Sequence, residues 1–190
     1  MQQVLGFVGE KGSGKGTIIE RLPPFYDRHT SVESVRFSEP GRNTLKQWGI
    51  PATRKNLQNV VSAMSDHFGD DVLARAVRQL AYQSKAQVIV LDGMRWYCDV
   101  KMVRSFPRSL IVYVTAPLEV RFMRLKKRGE NQGEAEMTFE QFMREEQAEN
   151  EVFIPEIGKR ADVTITNDGS IEDLSRKIDA FYKEHVAAHL

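Results

Sequence analysis

The segment from Gly9 to Thr17 constrains the fold of this chain more than any other part of the sequence. It reads Gly-Glu-Lys-Gly-Ser-Gly-Lys-Gly-Thr, follows an apolar run and leads into a segment with helical character. A strand, a G-x4-G-K loop and a helix in that order are typical of phosphate-binding loops, in which backbone N–H groups surround anionic oxygens. Lys15 would add a point charge for the β- and γ-phosphates of a nucleoside triphosphate. A glycine-rich turn that only starts a helix is the weaker alternative.

We predict that most of this loop contacts the nucleotide. Its glycines allow the backbone to pass close to phosphate oxygens, where a side chain would clash or φ would be forbidden. Gly16 follows the lysine, so the hydroxyl comes one place later than in the commonest form of the motif. The predicted nucleotide-binding residues of the loop are Gly9, Gly12, Ser13, Gly14, Lys15, Gly16 and Thr17.

Five short apolar runs predict buried strands, and longer segments with helical spacing separate them. The runs are Val4–Val8, Ser34–Phe37, Gln87–Leu91, Ser109–Val114 and Ala161–Thr166. Strands that alternate with helices predict a parallel sheet covered on both faces, which is a three-layer α/β fold. Such sheets bind ligands at the carboxyl ends of their strands. The sequence has no internal repeat or linker, so its 190 residues are expected to form one domain, 1–190.

Residues with capping chemistry predict where several helices begin. Thr53 and Ser170 each stand directly before a helical segment. Thr138 is the expected N-cap of a helix over 138–149, with Gln141 in the capping-box position. These three positions predict helices after the second, fourth and fifth strands.

Composition and charge narrow the function classes. The net charge of +1 gives no sign of a nucleic-acid-binding surface, so a nucleic-acid partner is not expected. Cys98 is the only cysteine, which excludes a disulfide within the chain and a cysteine-clamped zinc site. No apolar run approaches the roughly 20 residues of a membrane span, and the first residues lack the pattern of a targeting signal. We therefore expect a cytoplasmic enzyme without a membrane partner, and its oligomeric state stays open.

An acidic residue follows the third apolar run, in the order Asp92-Gly-Met-Arg95. An unpaired buried carboxylate is costly, so packing explains this aspartate poorly. We expect Asp92 to act in a site at the carboxyl end of the strand, rather than only to start a turn before Gly93.

The Gly-Lys-Gly-Thr ending of the loop and the later Asp92-Gly-Met-Arg95 resemble the nucleoside monophosphate kinases, of which adenylate kinase is one. In length and layout the chain also resembles dephospho-coenzyme A kinase. The resemblance covers nearly the whole chain and implies the P-loop fold, with strand order 2-3-1-4-5 and with ATP and Mg2+ as cofactors. It also implies an acceptor-binding segment at about 38–84 and a short lid at about 124–145.

The resemblance assigns metal-binding and acceptor-binding roles. Asp92 and Thr17 would place Mg2+, and Arg95 would contact the acceptor phosphate. The segment 37–42 falls where the family has a turn with an acidic residue and an arginine, although the two residues before Arg42 are unusual there. A surface arginine in a loop is the alternative for Arg42. The implied acceptor-binding residues are Glu39, Arg42, Arg54 and Arg95.

Further arginines are implied on the donor side. Arg124 and Arg128 are four residues apart on one helix face and would close over the ATP phosphates, with Arg144 from the next helix as a third. A surface pair with a glutamate fits Arg144 equally well. The turn with Asn167 and Gly169 would pass beside the nucleotide base. The implied catalytic residues are Lys15, Arg95, Arg124, Arg128 and Arg144.

The predicted function is direct in-line transfer of the γ-phosphoryl group of MgATP to a nucleoside or deoxynucleoside monophosphate. Two alternatives remain. Transfer to a hydroxyl, as in dephospho-coenzyme A kinase, would need a carboxylate base, for which Glu39 or Asp92 is available. An ATPase that acts as an assembly factor or nucleotide switch would consume ATP without a phosphorylated product and would bind a protein or RNA.

Overall fold

Five strands form one sheet in the order β2-β3-β1-β4-β5. The computed structural model describes residues 2–22, 30–129, 134–148 and 151–187. Every neighbouring pair of strands is parallel, as expected for strands joined by helical crossovers. The predicted α/β fold and strand order are confirmed. The strands are β1 Gln3–Val8, β2 Val32–Arg36, β3 Val88–Met94, β4 Ser109–Thr115 and β5 Val163–Thr166.

Helices connect the strands. Thr53, Thr138 and Ser170 are confirmed as N-caps, because each side-chain oxygen accepts a hydrogen bond from the N–H three residues later. None of the helices in the described ranges is long and apolar enough to cross a membrane. They are α1 Lys15–Arg21, α2 Glu39–Gln47, α3 Arg54–Phe68, α4 Val72–Gln83, α5 Tyr97–Arg104, α6 Leu118–Arg128, α7 Phe139–Glu146, α8 Ile154–Gly158 and α9 Ile171–Phe181, which continues as a π-helical turn over Tyr182–Val186.

Several predicted boundaries differ from the structure. β5 begins two residues later than predicted, and just before it the Asp162 carboxylate accepts the Ile111 N–H (2.7 Å). β2 extends from Val32 to Arg36, rather than from 34 to 37. α7 ends at Glu146, ahead of the predicted 149, which lies outside the described residues.

The core lies on both faces of β1, which is buried along its whole length. Val4 and Val8 pack in one cluster with residues of α4, α5 and α8. Leu5 and Phe7 point to the opposite face and pack with residues of α1 and α9. This alternation is the period of a strand, and it confirms a sheet with helices on both faces. The loop after β1 therefore emerges from the most buried strand of the molecule.

The segment between β2 and β3 is helical and mostly exposed. Residues 39–47 form α2, with Pro40 in its first turn, where proline is tolerated. The turn expected over 37–42 is therefore wrong, because the proline begins a helix there. The next helix, α3, contains no fully buried residue. Within the expected acceptor-binding segment, α4 therefore packs against the core, whereas α3 contributes no fully buried residue.

Candidate active site

The phosphate-binding loop connects β1 directly to α1. Gly12 and Gly14 adopt φ values of +74° and +89°, a region that side chains other than glycine rarely occupy. The Ser13 hydroxyl is buried, and its oxygen has no hydrogen-bond partner among the described residues. A buried hydroxyl without a partner is uncommon, and a phosphate oxygen bound in this loop would supply one. The loop therefore fits the ATP that the motif predicts.

The glycines of this loop are required by the surrounding protein as well. A Cβ at Gly9 would overlap the Val114 carbonyl oxygen, and a Cβ at Gly12 would lie 2.6 Å from the Arg121 carbonyl oxygen. A Cβ at Gly16 would meet nothing within 4 Å. The sequence motif alone attributes the glycines of the loop to close approach of phosphate. At Gly9 and Gly12 the structure adds close packing against β4 and α6.

Asn167, in the turn after β5, contacts the loop through its side chain. Its Nδ2 donates to the Ser13 carbonyl oxygen (2.9 Å), and the side chain is buried. Arg124 donates to the Asn167 carbonyl oxygen (2.9 Å) and to its Oδ1 (3.3 Å). The sequence predicted only backbone contact with a base at this turn, so the support that Asn167 gives to the loop was missed. Gly169, two residues later, packs against Asp173.

Lys15 forms an ion pair with Asp92, at the carboxyl end of β3. The pair follows from the register, because β1 and β3 are hydrogen-bonded neighbours and Phe7 lies beside Asp92. Both side chains are largely buried, so solvent screens the pair less than it would at the surface. The aspartate is therefore paired in the structure with the lysine of the phosphate loop.

The residue types at Asp92 and Thr17 suit magnesium. A carboxylate and a hydroxyl are oxygen ligands of the kind that Mg2+ prefers, and substrate phosphates commonly complete its coordination. The Thr17 side chain is partly exposed at the start of α1. Within the described residues, no group of three or more His, Cys, Asp or Glu could hold a metal ion by itself. The chain thus has donors for a metal held jointly with a nucleotide.

Arg95, three residues after Asp92, forms an ion pair with Glu151. Only 4% of the Glu151 side chain is exposed, whereas 38% of the Arg95 side chain is. Lys11, from the phosphate loop, lies 3.6 Å from the same carboxylate and 3.0 Å from Glu145. A buried carboxylate thus links the loop after β3 to the phosphate loop.

A second set of carboxylates lies close to the phosphate loop. Arg121 is buried, pairs with Glu146 at 2.6 Å and donates to the Lys11 carbonyl oxygen. Burial raises the pKa of Glu146, and Arg121 opposes that rise. The Tyr113 hydroxyl donates to Glu10, and burial together with this bond raises its pKa to about 12. Tyr113 therefore stays protonated at neutral pH and remains a donor.

The structure does not gather all the predicted arginines around the loop. Arg144 is 72% exposed and pairs with Glu140 one turn earlier, which is the surface alternative. Arg128 pairs with Glu134 at 2.8 Å, beside residues 130–133 of the expected lid, which lie outside the described ranges. Arg54 is exposed in the first turn of α3.

The remaining acceptor-side residues are on or beside α2. Arg42 is exposed and donates through Nε to the Ser38 hydroxyl (3.4 Å). Glu39 accepts the Arg36 backbone N–H through Oε2 (3.4 Å). Both stay predictions as acceptor contacts.

Sequence reasoning missed residues that pair across long separations in the chain. Glu151 lies 56 residues from Arg95, and no local pattern marks that pair. Arg36 ends β2, and its Nε lies 3.8 Å from Asp92 Oδ2. Arg36 had a usable signal, because it lies one residue before the end of a predicted strand, near the edge of the sheet where ligands bind.

Proteins with similar sequences occur in archaea. The chain is 29% identical over 188 residues to a UPF0200 protein of Thermococcus onnurineus, covering 95% of this chain and 97% of the relative. It is 27% identical over 181 residues to a UPF0200 protein of Methanoregula boonei, covering 92% and 93%. No family model matches the chain.

Solved structures with the same fold include kinases. Shikimate kinase from Bacteroides thetaiotaomicron superposes with a TM-score of 0.62 at 12% identity, covering 95% of this chain and 97% of that one. Shikimate kinase from Acinetobacter baumannii, in complex with shikimate, gives 0.56 at 15% identity, covering 98% and 96%. The chain therefore has the fold of P-loop kinases.

Proposed function

We propose that this chain is an ATP-dependent phosphotransferase that moves the γ-phosphoryl group of MgATP to the phosphate of a nucleoside monophosphate. One observation carries the proposal: Arg95 stands at the end of β3, on the opposite side of β1 from Asn167 and Arg124. The phosphate loop thus has arginines on both sides. A protein that only bound or hydrolysed ATP would have no need of the second set.

The side chains divide between two substrates. Lys15 and the α6 arginines Arg124 and Arg128 would neutralise the phosphates of the donor, and the turn with Asn167 would border its base. Arg95, with Arg42 from α2, would hold the acceptor phosphate in line with the transferring group. Arginine suits this task because its planar fork can donate two hydrogen bonds to one phosphate. Positioning and charge stabilisation would supply the catalysis, without a covalent enzyme intermediate.

Magnesium would be held by Thr17 and Asp92 together with the nucleotide. When bound, it would neutralise charge on the β- and γ-phosphates. Asp92 contacts Lys15 directly in the structure, so the aspartate also orients the lysine.

A phosphate acceptor is favoured over a hydroxyl by the carboxylates at the site. A phosphate is already ionised at neutral pH, whereas a hydroxyl must give up a proton to a base. Both candidate bases already have partners, since Asp92 pairs with Lys15 and Glu39 accepts an N–H of Arg36. Each of the two carboxylates therefore belongs to a network of charged and polar groups, and neither stands apart as a general base.

The decisive experiment is an acceptor panel. MgATP is incubated with the protein and, separately, with each nucleoside and deoxynucleoside monophosphate, with dephospho-coenzyme A and with no acceptor. We expect a diphosphate product from one class of monophosphate and little ATP consumption without acceptor. Phosphorylation of dephospho-coenzyme A alone would replace the proposal with hydroxyl transfer. ATP hydrolysis that no acceptor alters would overturn it in favour of an ATPase.

A further inference from the structure

Arg36 occupies the last position of β2, at the carboxyl edge of the sheet. In the β2–β3 register it pairs with Asp92, the residue that also contacts Lys15 of the phosphate loop. Its side chain therefore starts one strand spacing from the carboxylate at the centre of the site. It also lies on the β2–β3 side of β1, where the acceptor is proposed to bind.

Arg36 is held only loosely. Among the residues that the structure describes, its side chain has one ion pair, which joins Nε to Asp92 Oδ2 at 3.8 Å, near the limit for such a contact. The side chain is 68% exposed. The outer guanidinium nitrogens make no hydrogen bond within the described residues, and an exposed pair at this distance contributes little to stability. A structural arginine would be more fully engaged, as Arg121 is through Ala116, Lys11 and Glu146.

The charge balance around Asp92 gives this cation a role. Asp92 carries one negative charge, and Lys15 already pairs with it through Oδ1. The Glu39 carboxylate also lies beside Arg36, where it accepts the backbone N–H at 3.4 Å. Asp92, Lys15 and Arg36 as a group carry a net charge of +1. Such a group attracts an anion, and a guanidinium bound through Nε alone still presents its outer nitrogens for a bidentate contact.

We propose that Arg36 is a specificity-determining residue that binds the phosphate of the acceptor together with Arg95, and that Asp92 tethers it until the acceptor arrives. This inference rests on the proposed function and adds to it a contact from β2. Arg36 favours acceptors that carry an anionic group beside the reacting oxygen, and it discriminates against neutral acceptors.

The test compares Arg36→Gln and Arg36→Lys with the wild type in steady-state transfer, using the best acceptor of the panel. The expected result for Arg36→Gln is an acceptor KM raised by about tenfold or more, because a charge-assisted hydrogen bond is lost. The KM for ATP should stay within about twofold, because the donor contacts other residues. Arg36→Lys should fall between the two, since it keeps the charge but not the fork. Arg176→Gln, which removes an exposed arginine from α9, is the control for an unspecific loss of charge.

An unchanged acceptor KM in Arg36→Gln would overturn the inference and leave the proposed function standing. A lowered kcat with altered Mg2+ dependence alone would do the same, because it would mean that Arg36 only screens Asp92. Calorimetric titration of AMP into the protein with MgADP covers the case in which the wild type transfers nothing. In that case the proposed function fails, while weaker AMP binding by Arg36→Gln would still support the arginine contact. Equal affinities of the wild type and Arg36→Gln for AMP, or no AMP binding by the wild type, would overturn the inference about Arg36.

Discussion

The two sides of the phosphate loop differ in how firmly the protein holds them. On the donor side, the Gly9–Thr17 loop packs against the backbone of β4 and α6 and is bound by the buried Asn167. On the acceptor side, α2 and α3 lie at the sheet edge, and α3 has no fully buried residue. The donor side is therefore formed before any ligand binds. The acceptor side has few buried contacts, and segments of that kind commonly move locally. Binding of the acceptor would therefore have to order this side of the site.

The largest effect is expected from removing the charge of Lys15, which both sides of the site share. Lys15→Met should lower kcat/KM for the transfer by about a thousandfold, because the transferring group loses its main positive charge. Transfer of radiolabelled phosphate from ATP to the acceptor measures this loss. Lys15→Arg, which keeps the charge but not the shape, is the matched control. Activity within about tenfold of wild type in Lys15→Met would mean that the loop is not the donor site.

A substitution at Arg95 tests whether the donor and the acceptor bind on different sides of the phosphate loop. Arg95→Gln should raise the acceptor KM by about ten- to a hundredfold, because a charged hydrogen bond to phosphate is lost. The ATP KM should change by no more than about twofold, since the donor binds across β1. Initial-rate kinetics with each substrate varied in turn measure both values. If the two KM values rise equally, the division into donor and acceptor sides is wrong.

A pair of glycines compares the packing of the two sides directly. Gly12 and Gly49 both have positive φ, +74° and +69°, so alanine costs a similar backbone strain at each, about 1 kcal/mol. A Cβ at Gly12 also meets the Arg121 carbonyl oxygen at 2.6 Å, whereas one at Gly49, after α2, meets nothing within 4 Å. Gly12→Ala should therefore lower the free energy of unfolding by about 1–3 kcal/mol more than Gly49→Ala.

Urea unfolding without nucleotide measures that difference, with each variant compared at the same protein concentration. Equal losses would show that the loop yields to the added methyl group, and that the donor side is less rigid than its contacts indicate.

The smallest effect is expected for Glu151, the carboxylate that pairs with Arg95. Glu151→Gln should lower the acceptor KM by about two- to fivefold, because the Glu151 carboxylate would no longer compete with the acceptor phosphate for Arg95. The ATP KM is measured alongside, because Glu151 also lies 3.6 Å from Lys11 of the phosphate loop. Glu151 is buried, so thermal unfolding must accompany the kinetics to show that the variant remains folded. An acceptor KM that rises in a folded variant would mean that Glu151 positions Arg95 rather than competing for it.

The sequence predicted the donor side well because its signal is local. The nine residues of the loop are contiguous, and the apolar runs around them predict the strands of a parallel sheet. The strand order followed from the resemblance to the nucleoside monophosphate kinases. Asp92 could be predicted because a carboxylate after an apolar strand needs a partner. That partner, Lys15, lies in the neighbouring strand–loop unit.

The acceptor side was less predictable for two physical reasons. The resemblance predicts a turn at Pro40, but proline also begins helices, and in the structure it lies in the first turn of α2. Ion pairs such as Arg95–Glu151 depend on where distant segments meet, which the spacing of residues cannot reveal. Arg144 shows the converse, since a local glutamate was enough to explain it.

The position of Asp92 between two cations links the affinities of the two substrates. Its two oxygens face Lys15 on the donor side and Arg36 on the acceptor side. A ligand that engages one of these cations, or the Mg2+ that Asp92 would hold, changes how strongly the aspartate attracts the other cation, so the two binding equilibria are energetically coupled. Thermodynamic linkage requires this coupling to be reciprocal. The factor by which ATP changes the dissociation constant of the acceptor must equal the factor by which the acceptor changes that of ATP.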